Sequence, residues 1–382
     1  MPRQEVSLPV EADARVSMAD STIESLTPAA FARHVDRLVD PTGERVAESW
    51  RPVVAALAER HDEAAFPARV LADLTGGKFL RSRLAVAGYA GLGGEDDAVA
   101  ASLAVSVQLL HLGLCVHDDL IDGDAVRHGR PNVAGLSRQR VLAEGGSAGR
   151  AGREGMAAAV LAGDLAIAQS QRELLTAPLE PTVTVAVMAE LLDALAVTIG
   201  GEWLDVRSEV APPADIPADV IASLKTARYT TVLPLRLGAV AAGADALAVT
   251  ALTGFGEYLG VAYQMKDDEL GVFGDPGVTG KSVTADLRSG KRTGLLRLTY
   301  EHSTSSQRER LDELVGQESM GAAEASTLRQ VILASGAADE HRARMLTTVE
   351  RALGFLEPAS GLPAPLVAYL TAAAATVVPR SS

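Results

Sequence analysis

Two clusters of aspartates are the residues in this 382-residue chain whose types and spacing specify chemistry most directly. In HDDLIDGD, Asp118 and Asp122 stand four residues apart, so on a helix their carboxylates share one face, with Asp119 beside them. Like charges at that spacing repel unless something neutralises them. QMKDDELGVFGD places Asp267 and Asp268 at the end of a second long apolar run. Carboxylate oxygens without a competing His or Cys cluster suit Mg²⁺, which binds through one or two carboxylates plus substrate phosphates. A solvated acidic helix end explains either cluster alone about as well, but two of them, each closing an uncharged run, favour the metal. Cations are distributed as a diphosphate would require. Lys78 and Arg81 follow Gly76-Gly77 at a helix start, where backbone N–H groups also attract anions. Arg127 follows the first cluster, Lys225-Thr226 opens KTARYTT, and Lys281 and Lys291 follow the second cluster. Singly each reads as a surface cation; together with the carboxylates they describe a cavity that holds diphosphate through metal and cationic side chains.

These clusters must be positioned by helices. Apolar residues make up 47% of the chain and aromatics only 4%, while Ala, the strongest helix former, abounds. Thr27-Pro28 is a helix-start signature. Helical spacing follows over 29–39, 52–60, 67–74, 79–90 and the long run from Ala98 into Asp118. It resumes over 156–175, 183–199, 217–229, 247–270, 307–315, 322–334 and 337–353, and Pro363 and Pro365 confine a last helix to about 366–378. The stretch 123–155, rich in Gly and Arg, reads as polar connection. With no alternating strands and no internal repeat, the expectation is an all-α fold, a single-domain bundle over residues 27–382 preceded by a flexible leader at 1–26.

Composition excludes several classes. A formal charge of −14 is a poor match for a nucleic-acid binder, and one cysteine, Cys115, leaves no disulfide framework or thiol pair. The uncharged windows 98–116 and 358–379 read as core helices and not membrane spans, because polar residues interrupt the first and prolines shorten the second. A soluble, cytoplasmic protein is expected. Gly145-Gly146-Ser147-Ala148-Gly149 fits a nucleophile elbow but follows no strand. GDPGVTGKS resembles a phosphate loop with its glycines one residue too far apart.

The motifs GGKFLRS, LLHLGLCVHDDLIDGDAVRHGRP, LAGDLA, GEWLDV, KTARYTTVLPL and QMKDDELGVFGDPGVTGKSVTADLRSGKRT, in this order from about Gly76 to Thr293, resemble the trans-polyprenyl diphosphate synthase family, geranylgeranyl diphosphate synthases in particular. The resemblance implies antiparallel helices around a deep central pocket, the isoprenoid synthase fold, commonly as a homodimer. It implies that Asp118, Asp119, Asp122, Asp267 and Asp268 bind Mg²⁺, with Asp118, Asp122, Asp267 and Lys225 central to catalysis. Arg127, Lys225, Thr226, Gln264, Lys281 and Lys291 match positions holding the allylic diphosphate. Lys78, Arg81, His111 and, in place of an arginine, His128 match the isopentenyl diphosphate site. The sequence departs at Phe79 and Ser82, at Gly271, where Asp275 could substitute for an aspartate, and at Glu202, where glutamine is usual. Condensation of isopentenyl diphosphate with an allylic diphosphate to a C20 or longer product is the implied reaction. A class I terpene synthase that ionises a prenyl diphosphate without isopentenyl diphosphate stays open as the alternative. The resemblance makes Leu110, Gly113 and Leu114 the chain-length pocket. With no aromatic at 113 or 114, a growing tail can pass; the competing reading of Gly113 is close helix packing.

Overall fold

Thr27 opens the first helix, its hydroxyl accepting a hydrogen bond from the Ala30 N–H at 3.2 Å, with Pro28 in the first turn. The computed structural model describes residues 26–127, 129–210, 216–274, 287–288, 290–317 and 319–378. The expected leader, His128, Asp275 and Lys281 therefore lie outside the described residues, apart from Leu26. The helices are α1 (Pro28–Val39), α2 (Thr42–Arg60), α3 (Phe66–Asp73), α4 (Leu80–Gly91), α5 (Asp97–Ile121), α6 (Val133–Ala143), α7 (Ala148–Leu175) and α8 (Pro181–Val210). After α9 (Ala218–Ile221) comes a π-helical segment (Ala222–Val232), then α10 (Leu233–Ala241) and α11 (Ala246–Phe273). The chain closes with α12 (Gly294–His302), α13 (Ser305–Leu314), α14 (Ala322–Ala334), α15 (Ala337–Gly354) and α16 (Ala364–Ala375). Among the described residues the only strands are the two-residue β1 (Val126–Arg127) and β2 (Arg130–Pro131), paired antiparallel.

Helix α5 is the spine because it is apolar on nearly every side until its last turn. Asp96 caps it, accepting from the Ala98 N–H at 2.7 Å. Its Leu103, Val107 and Leu110 join the main core with Phe31, Leu84, Leu235 and Phe255, whereas Val105, Leu109 and Val116 face a second core built on Trp50, Leu71 and α7. Burying each of these large side chains favours the fold by roughly 1.5–3 kcal/mol, so both faces of α5 hold it in place. A third core around Leu311, Leu328 and Ile332 supports α12 to α14.

The stretch 123–155 is not a connection. It holds β1, β2, all of α6 and the first turns of α7, and Ser147 is the cap of α7, accepting from the Arg150 N–H at 3.3 Å. Helices α10 and α12 were also missed by periodicity. Two helices among the described residues are long and apolar enough to cross a bilayer, α5 and the span Pro181–Glu209 of α8. Most of the apolar window of α5 is buried, in keeping with a core helix, while only about a fifth of that of α8 is. The last helix, α16, has 12 residues.

Candidate active site

The last turn of α5 presents Asp118 and Asp119, and Asp122 caps its C-terminus. Beyond the turn at Gly123, β1 carries Arg127 back over this end. The Arg127 guanidinium donates to Asp119 Oδ1 from Nη2 at 2.6 Å and from Nε at 2.8 Å, and Nη2 lies 3.5 Å from Asp118 Oδ2. Asn132, the cap of α6, donates from Nδ2 to Asp119 Oδ2 at 3.2 Å and to the Asp124 carbonyl at 2.8 Å. Asp119 is only 4% exposed, with both oxygens taken by protein donors. Asp118 and Asp122 keep roughly a third of their side chains exposed.

Opposite them runs the π-helical segment. Its hydrogen bonds reach the fifth residue along, a widened winding often found at functional sites. Lys225 on this segment places Nζ 3.0 Å from Asp118 Oδ1, 2.8 Å from Glu202 Oε2 and 2.7 Å from Asp205 Oδ2. Glu202 and Asp205 stand three apart on one face of α8. Gly201 lets α8 come this close, since a Cβ there would lie 2.2 Å from the Lys225 nitrogen. Lys291 adds a second ammonium, 3.2 Å from Asp205 Oδ2 and 3.6 Å from Asp122 Oδ2.

The charges settle one another. Burial opposes the charged form of Lys225, but Asp118, Asp205 and Glu202 outweigh it and hold its pKa above the ordinary lysine value. Lys291 is likewise raised against the pull of burial by Asp205 and Asp122. Burial acts upward on Asp118 and Asp205, yet the two lysines hold both below the usual carboxylate range. For Asp122 and Glu202 burial prevails, and both are raised.

The residue after Lys225 engages the second motif. The Thr226 hydroxyl donates to Gln264 Oε1 at 2.6 Å, and Gln264 Nε2 donates to Asp268 Oδ1 at 2.8 Å. The Gly294 N–H, at the start of α12, donates to Asp268 Oδ2 at 3.0 Å. Asp268 is thus buried with both oxygens held, as Asp119 is, while Asp267 beside it is exposed. In each Asp-Asp pair one carboxylate is buried and anchors the motif; the other is more exposed, Asp118 facing Lys225 and Asp267 on the surface. Lys78 is exposed and close enough to Lys266 to depress its pKa, behind burial as the larger cause.

Arg81, His111 and Tyr229 form a neighbouring group. The Arg81 guanidinium sits 4.5 Å from the centre of the Tyr229 ring and donates to Thr230 Oγ1 at 2.8 Å. The His111 ring packs 6.0 Å from Tyr229, and the Cys115 sulfur lies 3.3 Å from His111 Nδ1. Burial pushes the Cys115 thiol up. Ser82 bonds the Ala104 carbonyl at 2.8 Å and so ties α4 to α5.

At Gly113 the geometry favours the packing reading over the chain-length one. A Cβ at Gly113 would lie 2.9 Å from the Gly163 carbonyl oxygen and 2.9 Å from Ile167 Cγ1, both on α7. Gly113 is where α5 and α7 touch, and its missing side chain serves that contact. Leu110 is fully buried in the main core and Leu114 half-buried against it.

Residues 118, 119, 122, 127, 225, 226, 264, 268 and 291 are joined through the contacts above. Sequence reasoning left Asp205, Asn132, Tyr229 and Thr230 unassigned, and it noted Glu202 only as a departure. The usable signal was GEWLDV, two carboxylates at helical spacing near the end of a largely apolar helix. Among the described residues no three carboxylates, imidazoles or thiols are gathered as a ready cation cage. Instead four carboxylates, Asp118, Asp122, Glu202 and Asp205, surround two ammonium groups. Oxygen donors with excess negative charge fit a hard divalent cation, and the lysines fit the phosphate it would bring.

An all-helical protein with paired aspartate motifs joined by a lysine-bearing segment is built to handle a diphosphate ester. The family described as Polyprenyl synthetase matches residues 67–332. Geranylgeranyl diphosphate synthase of Mycobacterium tuberculosis is 34% identical over 254 residues, 66% of this chain and 67% of that protein. (2E,6E)-farnesyl diphosphate synthase of Mycobacterium bovis is 32% identical over 277 residues, 71% of this chain and 70% of that one. The crystal structure of geranylgeranyl pyrophosphate synthase from Corynebacterium glutamicum, complexed with isoprenyl diphosphate and magnesium, superposes with a TM-score of 0.84 at 28% identity, over 91% of this chain and 99% of that one. The chain belongs to the polyprenyl synthetase family and is a prenyltransferase. Of the two reactions left open by the sequence, prenyl transfer is the one this membership supports.

Proposed function

We propose that this enzyme condenses isopentenyl diphosphate with an allylic prenyl diphosphate to give a C20 (geranylgeranyl) or longer trans-prenyl diphosphate, using Mg²⁺ held by Asp118, Asp122 and Asp267. The observation that carries the reading is that Lys225 and Thr226, adjacent on the π-helical segment, reach the first and second aspartate motifs respectively. Bound Mg²⁺ supplies charge neutralisation for the leaving diphosphate. Lys225 and Lys291 face the same space and stabilise that charge as the allylic C–O bond breaks. Arg127 and Asn132 hold Asp119, and Gln264 and the Gly294 N–H hold Asp268, so that their more exposed neighbours keep position. Arg81, backed by Tyr229 and Thr230, together with His111 and Lys78, receives isopentenyl diphosphate, whose double bond attacks the allylic cation. The proton then lost passes to the released diphosphate. Product length rests on the geranylgeranyl-forming relative and on Leu114, an aliphatic residue where an aromatic ring would stop the chain at C15. Incubation with farnesyl diphosphate and Mg²⁺, with and without isopentenyl diphosphate, tests the reaction. A longer alcohol seen only after phosphatase treatment is expected; a hydrocarbon formed without isopentenyl diphosphate would defeat it.

Metal binding should weaken in acid earlier than an ordinary aspartate predicts. Burial raises Asp122, and its ligand form is lost as pH falls through that raised pKa. Mn²⁺ titrations of the free protein across pH 4 to 7 read this out, and Asp122→Asn should remove that pH dependence while weakening binding throughout.

We propose a homodimer, with the exposed stripe Val185, Leu192, Ile199 and Trp203 on α8, each between 46% and 70% exposed, as part of its interface. Trp203→Glu should convert the dimer to monomer in sedimentation velocity. A monomeric unmutated enzyme at micromolar concentration would refute the proposal.

A further inference from the structure

A lysine ammonium has three N–H donors, and Lys225 faces three carboxylates, Asp118, Glu202 and Asp205, all within 3.0 Å. Its charge is therefore met on three sides by carboxylates, Asp205 accepting a hydrogen bond. With Lys291 on Asp205 and Asp122, four carboxylates face two ammoniums, an excess of two formal negative charges. Glu202 differs from the other three. Asp118 and Asp122 belong to the first aspartate motif, and Asp205 is shared by both lysines, whereas among the described residues Glu202 ion-pairs with Lys225 alone. Removing its charge would therefore leave both lysines paired while taking one carboxylate from Lys225.

Resting on the Mg²⁺–diphosphate reading above, we infer that Glu202 sets the order of binding: its carboxylate draws a divalent cation to the substrate-free site and denies Lys225 to a diphosphate until that cation has arrived. The two effects have opposite signs for one residue. Added negative charge strengthens cation binding through Coulomb attraction and weakens binding of an anion that arrives without metal. A cation drawing Asp118 toward itself would open one side of Lys225 to phosphate. Glu202 thus acts as a positioning residue for Lys225, and it is the excess charge that makes metal binding come first.

The test uses the full chain with Mn²⁺ alone and with inorganic pyrophosphate alone, the latter in EDTA. Glu202→Gln and Glu202→Ala should each raise the Mn²⁺ Kd, followed by electron paramagnetic resonance, about tenfold. The same variants should lower the pyrophosphate Kd, followed by calorimetry, several-fold. Glu202→Asp, which keeps the charge, should bind Mn²⁺ within about threefold of the unmutated enzyme. Constants that do not move, or that both weaken as a loosened site would make them, overturn the inference while leaving the reaction standing. An unmutated protein that binds neither probe overturns the metal–diphosphate reading and this inference with it.

Discussion

Asp118→Asn and Asp267→Asn should each lower kcat by about two to three orders of magnitude, the cost typical of losing one preorganised stabiliser of transition-state charge. Folding should change little in either case. Asp267 is exposed, and Lys225 keeps Glu202 and Asp205 when Asp118 is neutralised. Asp119→Asn should behave differently. It takes from Arg127 its nearer carboxylate and leaves it only Asp118 at 3.5 Å, and breaking a fully buried pair costs about 3–5 kcal/mol, an upper bound for this half-buried arginine. Denaturant melts with single-turnover assays separate the two classes. Asp118 and Asp267 should lose chemistry at constant stability, and Asp119 should lose stability as well. Equal destabilisation by all three would end the division of each Asp-Asp pair into an anchor and a more exposed carboxylate.

Gly113→Phe should unfold or severely destabilise the protein and not shorten its product. Even a methyl group there meets a backbone carbonyl at 2.9 Å, and a carbonyl cannot rotate aside as a side chain could. Overpacking a core costs about 1–3 kcal/mol when neighbours can yield, and a ring driven between α5 and α7 should exceed roughly 3 kcal/mol. A thermal melt shows it directly. A stable Gly113→Phe enzyme with product shifted to C15 would restore the pocket reading and displace the packing one.

The sequence disclosed those parts whose signals are local. Helices α5 and α11 are long, apolar and punctuated by their aspartates, so they and both motifs were readable, as was the Thr27-Pro28 start. The stretch 123–155 was misread because its helices bury small residues. Ala134, Gly135, Ala151 and Gly155 are all buried; a Cβ on Gly155 would lie 2.9 Å from the Ala134 carbonyl across the α6–α7 contact, and one on Gly135 would strike the Ala125 carbonyl. Close approach of backbones does there what large apolar side chains do elsewhere, and it leaves no hydrophobic periodicity. At the site, residue types and order pointed to the chemistry, but two adjacent aspartates look alike in a sequence. Asn132 and the Gly294 N–H, respectively 13 and 26 residues away, decide which one turns inward. The meaning of Gly113 was undecidable for the same reason, since its neighbour is a helix fifty residues further on.

The π-helical winding of Ala222–Val232 also limits how the gene can change. Lys225 and Thr226 serve opposite halves of one site from consecutive codons, and Thr230, four codons later, meets Arg81. Deleting one residue here would let the backbone relax to ordinary helical winding and turn every following side chain to a new bearing. No point substitution could return all three partners at once. Length variation in descendants of this protein should therefore fall in the connections between helices, while this eleven-residue stretch is inherited at constant length.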